Sequence, residues 1–127
     1  CRFETMAGKD KPWIEQYLNG SSNTISVKMQ TLDSVIQNDK IPSLIKIDVE
    51  GHEIEVLDGA EKPVQKKPLL IIESFPPKQT TVLSLLHELG YRSMDADLHT
   101  SINPHTTNLF AWHPEGPLDE SVIQKVL

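Results

Sequence analysis

The fold is decided by a short apolar run that leads into a group of acidic residues: Leu44-Ile45-Lys46-Ile47-Asp48-Val49-Glu50-Gly51-His52-Glu53. Its first six residues are nearly continuous in apolar character and rich in β-branched side chains, which is typical of a strand covered on both faces. Acidic residues then crowd the start of a segment with helical spacing. Residues 50–58 are therefore predicted to form a helix that ends at Gly59.

A second strand of the same kind, and an alternation of strands and helices around both, predict the rest of the fold. Residues 68–73 are almost wholly apolar, and residues 81–89 carry apolar side chains at helical spacing. The other predicted elements are helices over 12–18, 32–38 and 120–126 and strands over 24–29, 91–94 and 108–112. This order predicts an α/β fold with a parallel sheet at its centre.

Composition and charge limit the kind of protein. The chain has 127 residues, of which 38% are hydrophobic and 24% charged, as expected of a single globular domain. The formal net charge of -6 disfavours nucleic acid as a partner, because neutralising phosphates requires a basic surface. No apolar run approaches the ~20 residues of a membrane span. The single cysteine, Cys1, excludes an internal disulfide, and since it stands first we expect a piece of a longer chain.

The candidate site lies where the predicted parallel strands end, because open α/β sheets bind their ligands beyond the carboxyl ends of the strands. Asp48, Glu50 and Glu53 supply negative charge there, which suits a cation or a hydroxyl donor better than a phosphate. The structural alternative makes Asp48 the N-cap of the helix, with both glutamates complementing the helix dipole.

Lys46 is a charged residue inside the first apolar strand. A buried lysine requires a partner, and Glu73 at the end of the second strand is the predicted one. Such a pair has either a structural or a functional role.

A metal-dependent hydrolase is a further hypothesis, since carboxylates and imidazoles hold divalent ions. Its ligands would be Asp48, Glu50 and His52, with His99 or His105. The histidines have no spacing typical of metal ligands, so no metal is predicted.

Three segments closely resemble the signature of FkbM-type methyltransferases: Thr31-Leu32-Asp33, Ile45 to Glu53, and Val56-Leu57-Asp58-Gly59-Ala60. The resemblance covers roughly residues 24–114 and includes Leu89-Gly90-Tyr91 and Asn108-Leu109-Phe110. It implies an S-adenosylmethionine-dependent methyltransferase with a Rossmann-like sheet. Transfer in this family is commonly to an oxygen of a small molecule or sugar.

The resemblance also implies roles for individual residues. Asp48 becomes the central catalytic residue, with Glu50 and His52 beside it, and Asp48 and Gly51 contact the methyl donor. Glu73 and Phe75, at the end of the second strand, are predicted to contact the acceptor. The alternative for Phe75 and the two prolines after it is a rigid turn.

The chain departs from the family pattern before Asp48, where the glycine-rich turn of the donor site is expected and none is found. Residues 24–114 are therefore predicted to be a partial domain, the C-terminal portion of the sheet, between an irregular segment (1–23) and a tail (115–127) that forms a short helix. Such a chain is expected to bind S-adenosylmethionine weakly or not at all. Its uncovered strand predicts association, as a homodimer, through the sheet edge. The alternative function is a non-catalytic relative that binds another chain there.

Overall fold

The computed structural model describes residues 24–37 and 39–126. Contacts divide the chain into two units, residues 1–30 and 31–127. The helices and strands of the second unit are α1 (Leu32–Val35), β1 (Leu44–Ile47), α2 (Glu53–Asp58), α3 (Glu61–Gln65), β2 (Leu69–Glu73), α4 (Lys78–Glu88), β3 (Arg92–Asp95), β4 (Asn108–Trp112) and α5 (Glu120–Val126). This order of elements gives the mixed α/β architecture that the sequence predicts.

The strands form one open four-stranded sheet in the order β1-β2-β4-β3. β1 and β2 are parallel, because the chain returns through α2 and α3 before the second strand begins. β4 lies between β2 and β3 and is antiparallel to both. The predicted parallel pair is thus present, and β1 stands at one end of the described sheet.

Alternate residues of the strands face two apolar clusters, as the two-residue period of a strand requires. Leu70 and Ile72 of β2 belong to the larger cluster, which also contains helix residues such as Leu57, Val64, Val82 and Leu86. The neighbouring Leu69 packs against the smaller cluster, built from Met94, Trp112 and Ile123. Helices therefore contribute to the core on both faces of the sheet.

The prediction that β1 is covered on both faces is wrong. Ile45 and Ile47 pack into the larger cluster, but Leu44 is 49% exposed and Lys46 is also exposed. The structure describes no element over the second face of this edge strand, so its apolar composition does not mean complete burial.

Several helices and strands have bounds in the structure that differ from the predicted ones. β4 and α5 have the bounds predicted, whereas the strand predicted over 24–29 is reduced to an isolated bridge at Ser26. α4 begins three residues before its predicted start, and α2 three residues after it. Helix α3 is not among the predicted elements; it contains Pro63 in its first turn, a position that tolerates proline. The helix predicted over 12–18 lies outside the described residues.

Two of the segments that resemble the family signature contact each other. The Asp33 carboxylate accepts hydrogen bonds from the backbone N–H groups of Glu61 (3.1 Å) and Lys62 (2.7 Å), and the N–H of Asp33 donates to the Gly59 carbonyl (2.8 Å). A Cβ at Gly59 would lie 3.0 Å from Cβ of Thr31. Asp33 thus caps α3 from a distant part of the chain, which gives this part of the signature a structural role.

Replacing Asp33 by alanine is expected to lower the free energy of unfolding by about 0.5–2 kcal/mol, the usual cost of losing a helix cap. Asp33→Asn retains an acceptor oxygen and should cost less. Urea unfolding measures both. Asp39→Ala, at an exposed acidic residue, is the control, and an equal loss in Asp33→Ala and this control would contradict the capping role.

Candidate functional site

The candidate site lies at the carboxyl edge of the sheet, where β1 and β2 end side by side. Ile47 pairs with Ile72 in the parallel register, so the next residues, Asp48 and Glu73, meet at the same edge. This is where open α/β sheets bind ligands.

Three carboxylates converge there. Asp48, Glu50 and Glu73 each offer an oxygen, and these oxygens lie within 4.8 Å of one another. Asp48 and Glu50 are exposed and Glu73 is half-buried. We call this set the acidic trio. Carboxylate oxygens accept hydrogen bonds from hydroxyl groups and bind hard cations, whereas a phosphate would be repelled.

The acidic trio is not the set of acids that the sequence suggests, which consists of Asp48, Glu50 and Glu53. Glu53 is almost fully buried, and its carboxylate accepts a hydrogen bond from the N–H of Gly51 at 2.8 Å. Glu73, distant in sequence, supplies the third acid instead. Glu53 therefore stabilises the turn beside the site and is not one of the three acids that face a ligand.

A tight turn places Glu50 at the site. Glu50 has a φ of 53° and Gly51 a φ of 100°, a backbone region that favours glycine. The ammonium group of Lys78, at the start of α4, donates to the Gly51 carbonyl at 2.8 Å. This turn delays the start of α2, so the N-cap position is held by His52 and the proposed capping role of Asp48 is wrong.

His52 lies beside the acidic trio in sequence but is not part of it. Its Nδ1 is 4.0 Å from Oε2 of Glu55, one turn along α2. His99 and His105 are exposed in the segment between β3 and β4. Among the described residues, the group with metal-ligand geometry contains carboxylates alone, so the histidine ligands of the hydrolase hypothesis are not brought together.

The predicted pair of Lys46 and Glu73 is also wrong. Lys46 Nζ lies 3.9 Å from Oδ2 of Asp48, and both side chains are substantially exposed. Because β1 lies at the edge of the sheet that the described residues form, Lys46 reaches solvent and needs no buried partner. Its ammonium group places one positive charge next to the acidic trio.

Phe75 follows the acidic end of β2 and is 52% exposed. The Pro76-Pro77 peptide bond after it is cis. Phe75 stands two residues after Glu73 in the chain, so an exposed aromatic side chain follows directly on the strand end that carries one of the three acids. The sequence analysis singled out Phe75, but not the nearby buried side chain of Gln79, which donates a hydrogen bond to the Ser74 carbonyl.

A groove of about 560 Å³ lies at the opposite edge of the sheet, where β1 and β2 begin. Ser43 and Pro68, which precede the two strands, line it together with Lys66 and Gly116. None of the predicted site residues contributes to this groove. The sheet thus has a concave surface at one edge and the acidic trio at the other.

The fold defines an α/β protein with an open sheet, and three carboxylates lie at the edge where its two parallel strands end. The chain matches the model of the methyltransferase FkbM domain over residues 5–93 and belongs to that family. The resemblance that the signature segments carry is thereby confirmed.

One curated relative is the hexuronic acid methyltransferase AglP of Haloferax volcanii. It is 31% identical over 68 residues, which make up 50% of this chain and 28% of the relative. The chain therefore spans well under half the length of that protein. No solved structure matches the chain. Within the described residues, no helix is long and apolar enough to cross a membrane.

Proposed function

We propose that the protein transfers a methyl group from S-adenosylmethionine to a hydroxyl oxygen of a small molecule or sugar. The observation that carries this proposal is the acidic trio at the carboxyl edge of a sheet in a chain of the FkbM methyltransferase family. Three acceptors of hydrogen bonds within 4.8 Å of one another suit a molecule with several adjacent hydroxyl groups.

The protein itself forms no covalent bond in this reaction. The acceptor oxygen attacks the methyl carbon of the sulfonium, a C–O bond forms, and the C–S bond breaks to leave neutral S-adenosylhomocysteine. The hydroxyl proton passes to a carboxylate and then to water. Because the sulfonium is already activated, catalysis consists mainly of aligning the acceptor and assisting proton loss.

The residues have distinct roles in this proposal. Asp48 accepts the hydrogen bond of the reacting hydroxyl, and Glu50 and Glu73 orient the neighbouring hydroxyls. His52 stands at the edge of the site as a secondary proton acceptor. Gly51 keeps the backbone close to the methyl donor, which Asp48 also contacts.

Phe75 completes the proposed acceptor surface. Its ring offers an apolar face to the C–H groups of a sugar, while the carboxylates of the acidic trio accept the hydroxyl protons. Exposed aromatic area next to hydrogen-bond acceptors is what a ligand with one apolar face and several hydroxyls requires.

We further propose that residues 24–114 are the C-terminal portion of a Rossmann-like methyltransferase sheet. Three features of the sheet support this placement. β1 and β2 form a parallel pair at one end, β4 alone runs antiparallel between β2 and β3, and helices pack on both faces. Weak donor binding by the chain alone and a homodimer through β1 stay predictions. Membership of a methyltransferase family favours the enzyme over the non-catalytic alternative.

The test uses the full-length protein, meaning the complete chain of which residues 24–114 are the proposed C-terminal sheet portion. It is incubated with S-adenosylmethionine labelled in the methyl group and with a panel of methyl glycosides. The panel contains neutral hexoses and hexuronic acids, because the named relative acts on the latter class. Labelled O-methyl product and an equal amount of S-adenosylhomocysteine are expected with at least one acceptor. Donor turnover that no acceptor raises above the background would refute the proposal.

A further inference from the structure

Three buried polar side chains lie toward the same edge of the sheet as the acidic trio without belonging to it. Gln79, Asp95 and Thr106 are 6%, 3% and 1% exposed. Buried polar groups are costly unless they are hydrogen-bonded, so their partners indicate what they stabilise.

Gln79 joins two separate loops. Its Nε2 donates to the Ser74 carbonyl at 2.8 Å and to the Thr106 carbonyl at 2.6 Å. Ser74 begins the segment between β2 and α4 that carries Phe75, and Thr106 is the next-to-last residue of the segment between β3 and β4. One amide nitrogen thus uses both of its protons to hold two loops together.

The second loop is organised further by Asp95 and Thr106. The Thr106 hydroxyl donates to Oδ2 of Asp95 at 2.7 Å, and Oδ1 of Asp95 accepts from the N–H groups of Asp97 and Leu98. These hydrogen bonds, led by the one from Thr106, hold the pKa of the Asp95 carboxyl below its usual value. The loop is therefore tied at both ends to buried polar groups.

The directions of β3 and β4 bring residues 96–107 to the carboxyl edge of the sheet, where the acidic trio lies. β3 ends at Asp95 and β4 begins at Asn108, which pairs with Glu73 in the antiparallel register. The N–H of Ser74 donates to the Thr107 carbonyl at 2.9 Å. Residues 96–107 therefore lie beside the end of β2 that carries Glu73 and Phe75.

We propose that Gln79 is a positioning residue for the acceptor, because it joins the Ser74–Pro77 segment and residues 96–107 into one rigid acceptor-facing surface. This inference rests on the proposed function. Two exposed apolar side chains, Phe75 on the first segment and Leu98 on the second, are 52% and 66% exposed and are presented by this surface. Gln79 itself is buried and acts on the acceptor through the two loops.

The test compares Gln79→Glu with Gln124→Glu, the same chemical change at an exposed residue of α5. An ionised glutamate cannot donate and repels both carbonyl oxygens. Gln79→Met, which is similar in size and also donates nothing, serves as the second variant if Gln79→Glu does not fold. The measurements, made on the full-length protein, are amide hydrogen exchange and the steady-state constants for methyl transfer.

In the Gln79 variants, we expect hydrogen exchange in residues 96–107 to become about tenfold faster and the KM for the acceptor to rise by about tenfold or more. The KM for S-adenosylmethionine and the exchange of β1 amides should stay near those of the unsubstituted protein. Gln124→Glu should change none of these quantities.

Two results would overturn the inference. Unchanged exchange in residues 96–107 would mean that Gln79 does not hold the loop, and faster exchange with an unchanged acceptor KM would make its role purely structural. If the unsubstituted protein transfers no methyl group, the proposed function fails, and the positioning role falls with it. That outcome is recognised before any variant is compared.

Discussion

Replacing Asp48 by asparagine lowers the turnover number for methyl transfer by about a hundredfold or more, the usual contribution of a group that takes up a proton in the reaction. Asparagine keeps the size of the side chain and one acceptor oxygen, but it loses the negative charge that assists proton loss from the acceptor. The KM for the acceptor should change less, because Glu50 and Glu73 still orient its other hydroxyls. Steady-state kinetics of the full-length protein measure both constants.

The same substitution should leave stability unchanged or raise it slightly. Asp48 is exposed and shares a small volume with two other carboxylates, so removing its charge relieves repulsion between like charges. The substitution also removes the ion pair with Lys46, but both partners of that pair are substantially exposed and such pairs contribute little. Asp39→Asn, at an exposed acid near the opposite edge, is the matched control for activity. A turnover number within a factor of about three of the original protein in Asp48→Asn would contradict the proposed role, since proton-transfer residues contribute far more.

Ile72→Ala is expected to cost about 2–5 kcal/mol of unfolding free energy, the range found for truncated side chains in well-packed cores. Ile72 is fully buried in the larger cluster on β2, the strand that pairs with both β1 and β4. The cavity would open next to helix residues that cannot easily collapse into it. For a domain of this size, such a loss is a large part of the total stability.

The neighbouring Ile71 provides the control for this prediction, because it lies on the other face of β2 and is only half-buried. Ile71→Ala removes the same atoms and should cost clearly less than Ile72→Ala in urea unfolding. Equal losses at the two positions would mean that both faces of β2 are packed alike, contrary to the described structure.

The sequence predicted the elements whose apolar pattern is local. β2 is a nearly continuous run of apolar residues and β4 is mostly apolar, so both strands are recognisable from consecutive residues. The strand predicted over 24–29 instead alternates between apolar and polar residues, yet its side chains are exposed and only Ser26 forms a bridge. Alternation alone does not provide a partner strand.

The candidate site was predictable where it depends on strand ends and not where it depends on long-range contacts. Asp48 directly follows one apolar strand and Glu73 ends the other, so the sequence predicts that both lie at one edge of the sheet. Three outcomes required the folded chain: the burial of Glu53 against Gly51, the exposure of Lys46, and the bridge made by Gln79. Each outcome depends on which residues the tertiary structure brings into contact with the side chain in question. The periodicity of apolar residues in the sequence contains no information about such contacts.

The central claim, that the acidic carboxyl edge is the site of methyl transfer, is tested most directly by titrating S-adenosylhomocysteine into the ¹⁵N-labelled full-length protein. Within residues 24–126, the account predicts that the largest changes in amide chemical shift occur at Asp48, Gly51 and their neighbours, with smaller changes at the end of β2 near Glu73. Changes confined to the groove at the opposite edge, at Ser43, Lys66 and Gly116, or no changes at all, would contradict it.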